Sequence, residues 1–355
     1  MANLKTYLKY YKNNLFAEYA FNEVDNILFA ELSYLNWTDI VPENEQKISL
    51  QEAGNKLIEK EKEKNKKHSK FLQNILEHLK EMKDGERYKN CEFANFVQIL
   101  NQQEQFGAIC IYFEPKKVYV SFQGTDDSIA GWKEDFEMSY HFPILSQTDA
   151  IDYLNRVITW RDTFVYVGGH SKGGNLAMCS AMYSKDYIKN KIQKIFNNDG
   201  PGFRENEFNS PEYKEIISKI VSFKPEDSIV GVLLNNTGKC HFVKTKEKSV
   251  KQHDLTTWEC FGTYLEKGKQ TENSKKIDKR IAEWLNQYED SERENLILTF
   301  FNILEKINVV SVDDFRHIEL TQVMNAINEM KNLDTNTRKL YVEAMKGLLK
   351  SNKNG

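Results

Sequence analysis

The stretch Val165-Tyr-Val-Gly-Gly-His-Ser-Lys-Gly-Gly-Asn-Leu-Ala177 decides how the fold must be built. An apolar, β-branched run enters it and a helical pattern leaves it. Between them lies Gly169-His170-Ser171-Lys172-Gly173, a G-x-S-x-G pattern. Strand, abrupt turn and helix in that order are the context in which this pattern lifts a serine above a sheet edge. So tight a turn strains its central residue, and side chains at the flanking positions would strike the neighbouring strand and helix, hence the glycines. The next backbone N–H then stands at a helix N-terminus, where negative charge is favoured. Ser171 is therefore expected to be a nucleophile, with the Lys172 amide as one oxyanion donor.

Working outward, strand-like and helix-like segments alternate. Phe106–Phe113 and Val118–Phe122 read as strands joined across Glu114-Pro-Lys-Lys117, and so brief a link predicts an antiparallel pair. Val165–Gly168, Lys194–Asn197, Ile220–Phe223 and His241–Thr245 read as further strands. Helices are expected over 173–183 and 211–217. This alternation predicts an α/β architecture, a mostly parallel central sheet flanked by helices. Upstream, residues 22–35 carry apolar side chains at helical spacing and predict one amphipathic helix. Residues 47–90 form a Lys/Glu-rich insert with a thin apolar stripe (Ile58, Phe71, Ile75, Leu76, Leu79), which predicts exposed helices and raises the question of a lid. Beyond residue 270 only helical spacing survives, over 277–288, 292–307, 320–330 and 337–349. Ser291 and Thr335 are expected near the N-termini of two of these helices. The expected domains are therefore 1–269 and a helical region, 270–355.

A serine hydroxyl needs a base, and the base needs an orienting acid. Where a serine sits on such a turn, the acid and then the histidine follow later in the chain. Asp227 lies just beyond the strand at 220–223, and His253 lies in the polar loop after the last strand. These complete the expected triad of Ser171, Asp227 and His253. Asp199, in Asn197-Asn-Asp-Gly-Pro-Gly-Phe203, follows the preceding strand and is kept as an alternative acid or as part of the pocket rim. Glu226 is not excluded by residue type. His241, within a strand, and His170, under the turn, are expected to be packed. His68, His78 and His317 look like surface residues, and His141 like a loop residue. The segment from Thr257 to Leu265 is expected to be helical. Strand 118–122 ends in Gln123-Gly124-Thr125, so the Thr125 amide is expected as the second oxyanion donor, with its hydroxyl as a further one. A charged Lys172 is expected either to lie along the helix surface or to meet an anionic substrate group.

Composition narrows the class. Among 355 residues, 40% are hydrophobic and 28% charged, enough apolar content for a packed core. Lys+Arg number 49 against 52 Asp+Glu, so there is no basic excess to suggest a nucleic-acid partner. Mean hydropathy is −0.63, and no apolar run is long enough to span a membrane, although peripheral contact stays open. No secretory h-region opens the chain, and the five cysteines are scattered without C-x-x-C spacing. Reduced thiols and a cytoplasmic location are expected, with no metal or organic cofactor.

Several motifs carry a resemblance. Phe122-Gln-Gly-Thr-Asp with Trp132-Lys-Glu-Asp135 resembles a segment of class 3 lipases, and Gly169–Ala177 resembles their serine turn. The match is closer to the bacterial Mbeg1-like family of α/β hydrolases, in His170–Ala177, Asn197–Phe203, and Gln252-His-Asp254 with Trp258. That resemblance implies an α/β-hydrolase fold and a lipase-like triad. Gln123 and Lys172 depart from the lipase pattern and argue against a plain triglyceride substrate. The expected activity is serine-dependent hydrolysis of carboxylic esters on small or lipid-like acyl substrates. The alternatives are an acyltransferase or thioesterase with the same triad, or a non-catalytic interaction module on the same fold.

Overall fold

Eight strands form one sheet whose spatial order follows the chain: β1 (Ile48–Ser49), β2 (Glu92–Leu100), β3 (Gln105–Glu114), β4 (Lys117–Phe122), β5 (Phe164–His170), β6 (Ile192–Asn198), β7 (Ile220–Pro225) and β8 (Cys240–Val243). This computed structural model describes residues 2–64, 68–101, 103–126, 129–236, 240–309 and 319–350. β3 and β4 are antiparallel, as their short link requires, and β4 through β8 run parallel. A mostly parallel sheet flanked by helices, with a serine turn after a central strand, is the α/β-hydrolase fold.

Side chains alternate across the sheet, and each face has its own cover. Tyr119, Tyr166, Phe196 and Phe223 belong to a core shared with α1 (Leu4–Tyr11), α2 (Glu23–Leu32), α3 (Leu50–Lys64) and α4 (Lys70–Asp84). In chain order α5 (Ile129–Glu137) and α6 (Leu145–Val157) follow, and on the other face of the sheet Phe122 meets Tyr153 of α6, with ring centroids 5.9 Å apart. α7 (Lys172–Met182) packs against β4, β5 and β6.

α2 is not the amphipathic helix that its spacing predicts. Asn22 and Asp25 close a capping box at its start, but every residue from Val24 to Leu32 is buried. Its polar residues are therefore paired inside the core. Asp25 accepts from Arg87 Nε at 2.9 Å and Nη2 at 2.5 Å, from Tyr88 Oη at 2.6 Å and from Tyr7 Oη at 3.1 Å. His78 corrects the surface reading in the same way. It shares a face of α4 with Ile75, Leu79 and Met82, is buried, and its Nδ1 lies 2.8 Å from Glu31 Oε1. Burial pushes the Glu31 carboxyl up, against the pull of His78. Two further expectations shift. Residues 257–265 are not helical: a short 3₁₀ turn, Leu255–Thr257, leads into a hairpin of Cys260–Phe261 with Tyr264–Leu265, because Gly262 at φ +59° turns the chain back. His241 lies on strand β8 but is exposed.

The chain divides into two compact units. The first comprises Met1–Ile99, Phe106–Gly124 and Leu145–Ser274. The second comprises Leu100–Gln105, Thr125–Ile144 and Lys275–Gly355. In the second, helix Glu272–Leu285 from Lys275 onward and helices Asp290–Lys306, Leu320–Asn332 and Thr335–Lys350 supply most of the length. Ile297, Phe301, Leu304, Ile307 and Val309 form its core, with Tyr140 packed against them. Its caps lie slightly upstream of the expected residues. Glu289 boxes with Glu292, and Asp334 accepts from the amides of Asn336 and Thr337. His317 lies outside the described residues. Among the described residues no helix is long and apolar enough to cross a membrane.

The Asp25–Arg87 pair is fully enclosed, and breaking one side of such a pair leaves an uncompensated charge. Replacing Arg87 with Leu is expected to destabilise the fold by about 3–5 kcal/mol, measured from urea unfolding curves. An unchanged midpoint would contradict this account of α2.

Candidate active site

β5 delivers the chain into the turn, and α7 carries it away. Ser171 adopts φ 57° and ψ −132°, a conformation that costs a non-glycine residue about 1–3 kcal/mol. The surroundings hold it there. The Ser171 amide donates to the Asn198 carbonyl at 3.0 Å, and the Gly174 amide donates to the Ser171 carbonyl at 2.9 Å. A Cβ on Gly169 would lie 2.5 Å from the Phe122 carbonyl oxygen, and one on Gly173 would lie 2.2 Å from it. A Cβ on Gly124 would stand 3.0 Å from Ser171 Cβ and 2.3 Å from the His170 carbonyl oxygen. The end of β4 is thus pressed against the turn. The serine side chain makes no capping bond to α7, so its hydroxyl is not used in holding the helix end.

The next strand end supplies the carboxylate. After β6, Asp199 turns through φ 54°, and its amide donates to the Phe223 carbonyl at 2.7 Å. Asn197 builds this turn. Its Oδ1 accepts from the Gly200 amide at 2.8 Å, and its Nδ2 donates to the Gly200 carbonyl at 3.2 Å. Asp199 is buried, with both oxygens engaged. Ser228 Oγ donates to Oδ1 at 2.5 Å, and His253 Nδ1 lies 2.7 Å from Oδ2. An ionised carboxylate only accepts, so the His253 proton sits on Nδ1 and leaves Nε2 as the basic nitrogen. Asp199 is fixed beside Ser171 from both sides: Asn198 holds the serine amide, and a Cβ on Gly200 would lie 2.3 Å from the serine carbonyl oxygen.

The structure therefore pairs His253 with Asp199, the alternative acid, and not with Asp227. The Asp227 carboxylate accepts from Thr271 Oγ1 and, at 3.3 Å, from Gln252 Nε2, while its amide donates to Gln252 Oε1 at 2.9 Å. It clips the residue before His253 to the end of β7. Glu226 is used similarly, accepting from the Lys269 amide at 3.0 Å.

Two other expectations change. Within the second unit, Thr125 Oγ1 donates to both oxygens of Asp135, at 2.8 and 2.7 Å. A hydroxyl has one proton, and a carboxylate takes it, so this hydroxyl adds no oxyanion donor. Lys172 does not lie on the helix surface; it is among the largest fully buried side chains.

His170, expected to be packed, is buried beneath the turn. Burial, and then the neighbouring His253, hold its pKa well below the ordinary histidine value of 6.5. An unfolded chain binds a proton here as pH falls through 6.5, whereas the folded chain refuses it until a lower pH. This part of the stability is complete above about pH 6.5 and declines below it, by up to about 1.4 kcal/mol per pH unit. Urea midpoints at pH 7.5, 6.5 and 5.5 are expected to fall less steeply for His170→Gln than for the wild type. Equal slopes would contradict a neutral His170.

Comparison with known proteins adds a family. The model described as Mbeg1-like matches residues 82–302. No curated protein matches the sequence. Among solved structures, the M37 lipase is 15% identical, with a TM-score of 0.35, over 61% of this chain and 71% of that one. A fungal lipase–inhibitor complex, described as a model for interfacial activation in lipases, is 16% identical, with a TM-score of 0.35, over 47% of this chain and 68% of that one.

Proposed function

The chain belongs to the Mbeg1-like family, and on that footing we propose that it is a serine hydrolase of carboxylic esters. The observation that carries this reading is the 2.7 Å contact between His253 Nδ1 and Asp199 Oδ2 beside a strained serine turn. Ser171 attacks the acyl carbonyl, and His253 Nε2 takes its proton. Asp199 keeps the other ring nitrogen protonated and stabilises the imidazolium that forms, while Ser228 holds the far oxygen of that carboxylate. The Lys172 amide at the start of α7 stabilises the oxyanion. His253 returns the proton to the leaving alcohol, and water then cleaves the acyl-enzyme by the same route in reverse roles.

An acyl ester, either small or lipid-like, is the substrate this chemistry serves. A partly exposed base, with its side chain 28% accessible, is reachable by such a substrate. Asp227 acts only through Gln252, so its loss is expected to be milder than that of Asp199.

The test is hydrolysis of short p-nitrophenyl esters. Ser171→Ala and His253→Ala are expected to lose at least about 10³-fold in kcat. Turnover by Ser171→Ala equal to that of the wild type would sink the reading. Asp199→Asn is expected to lose about 10²- to 10⁴-fold, and Asp227→Asn less than about tenfold. A reversed order would return the role of acid to Asp227.

A further inference from the structure

Beside the triad lies a second histidine that the proposed reaction does not use. His170 Nε2 is 2.7 Å from the backbone carbonyl oxygen of His253, and His170 Nδ1 is 2.8 Å from Tyr34 Oη. The two imidazole rings lie 4.4 Å apart between centroids, tilted by 36°. A carbonyl can only accept, so His170 carries its proton on Nε2. In the neutral ring that burial favours, Nδ1 then accepts, and the Tyr34 hydroxyl donates to it. Both ring nitrogens are spent in this way, so His170 cannot serve as a base for Ser171. It is instead a rigid strut from Tyr34, at the end of α2, to the backbone of the base.

The strut is backed by α4. Phe71 meets the Tyr34 ring edge-on, at 4.9 Å and 87°, and lies 6.3 Å from the His170 ring. Three residues along the helix, Asn74 Nδ2 donates to Thr256 Oγ1 at 2.9 Å, in the turn that follows His253. Thr256 in turn donates to Asp254, the residue after the base. The helical insert thus supports the base-bearing loop from behind.

We infer that Tyr34 and His170 are positioning residues that fix the height of the general base by holding the His253 carbonyl. The inference deepens the proposed function, since it assigns a role around the base of that reading. A carbonyl released from this bond lets the 3₁₀ turn at 249–253 relax, and displacement of a base by about 1 Å can cost about 10²-fold. The charge state matters as well. A neutral strut 4.4 Å from His253 leaves the imidazolium that forms during turnover unopposed, whereas a protonated one would repel it. Burial keeps His170 neutral, and Tyr34 meets that neutral ring by donating to Nδ1.

Three variants separate the parts. His170→Phe keeps a ring and loses both bonds. His170→Gln keeps an N–H donor at similar reach. Tyr34→Phe removes only the hydroxyl that donates to Nδ1. With p-nitrophenyl esters, His170→Phe is expected to lower kcat about 10- to 100-fold, with KM changed by less than about threefold. His170→Gln is expected to recover to within about fivefold of wild type. In parallel, ¹⁵N-histidine spectra read the geometry without any turnover. Wild-type His170 is expected as the neutral Nε2–H tautomer at pH 7, and Tyr34→Phe as the same tautomer with its Nδ1 resonance shifted by loss of the hydroxyl donor. The His253 Nδ1 proton is expected to exchange with water at least about tenfold faster in His170→Phe than in His170→Gln. Should His170→Phe fail to fold, Tyr34→Phe and the wild-type spectra still decide. A protonated or Nδ1–H His170 in the wild type would overturn the inference. So would an unmoved Nδ1 resonance in Tyr34→Phe, or equal effects of Gln and Phe at position 170. Failure of the ester-hydrolase reading is a separate outcome, read as equal turnover by wild type and Ser171→Ala while the spectra behave as expected.

Discussion

The close approach of one turn to two strands governs this site. The backbone at Ser171 is driven so near β4 that neither Gly169 nor Gly173 has room for a Cβ beside the Phe122 carbonyl. On its other side the serine amide is tied to Asn198. Once the serine is held against the end of β6, the residue that follows Asn198 has nowhere to be but alongside it. Asp199 is therefore held beside the serine turn, and His253, bonded to Asp199, is brought to the same place. The strain at Ser171 is small beside the packing that imposes it, since α7 is buried over its whole length.

Beneath this turn lies a polar foundation inside an otherwise apolar core. Asn26 of α2 exchanges hydrogen bonds with Asn198, at 2.8 and 3.2 Å, and accepts from Tyr119 Oη at 2.8 Å. Asn198 Nδ2 also donates to the Gly169 carbonyl at 3.0 Å. Leaving any of these groups unpaired would cost about 1–3 kcal/mol, so the network fixes one register between α2, β4, β5 and β6. It also accounts for a helix that is buried all round and yet carries Asp25, Asn26 and Glu31. Each polar side chain meets a partner placed by another element.

The sequence disclosed features whose cause is local and hid those whose cause is remote. The serine turn was legible because five consecutive residues carry the whole constraint. The parallel sheet was legible from the alternation of β-branched runs with helical spacing. The choice between Asp199 and Asp227 was not, since both follow a strand and both lie in turn-forming residues. What separates them is Ser228 aimed at the first and Thr271 at the second, and those partners meet only in the folded chain. His78 was misread as a surface residue because its neighbours along the chain are charged, although its neighbours across the helix are apolar. The strut formed by Tyr34 and His170 joins residues 136 positions apart and left no signal beyond a histidine next to the serine.

The measurement that bears most directly on the central claim is covalent labelling with a fluorophosphonate, located by peptide mass spectrometry. The account predicts a single adduct on Ser171, formed rapidly in the wild type and at least about 10²-fold more slowly when His253 is replaced by Ala. Folded protein that takes up no label, or an adduct on another residue, would contradict it.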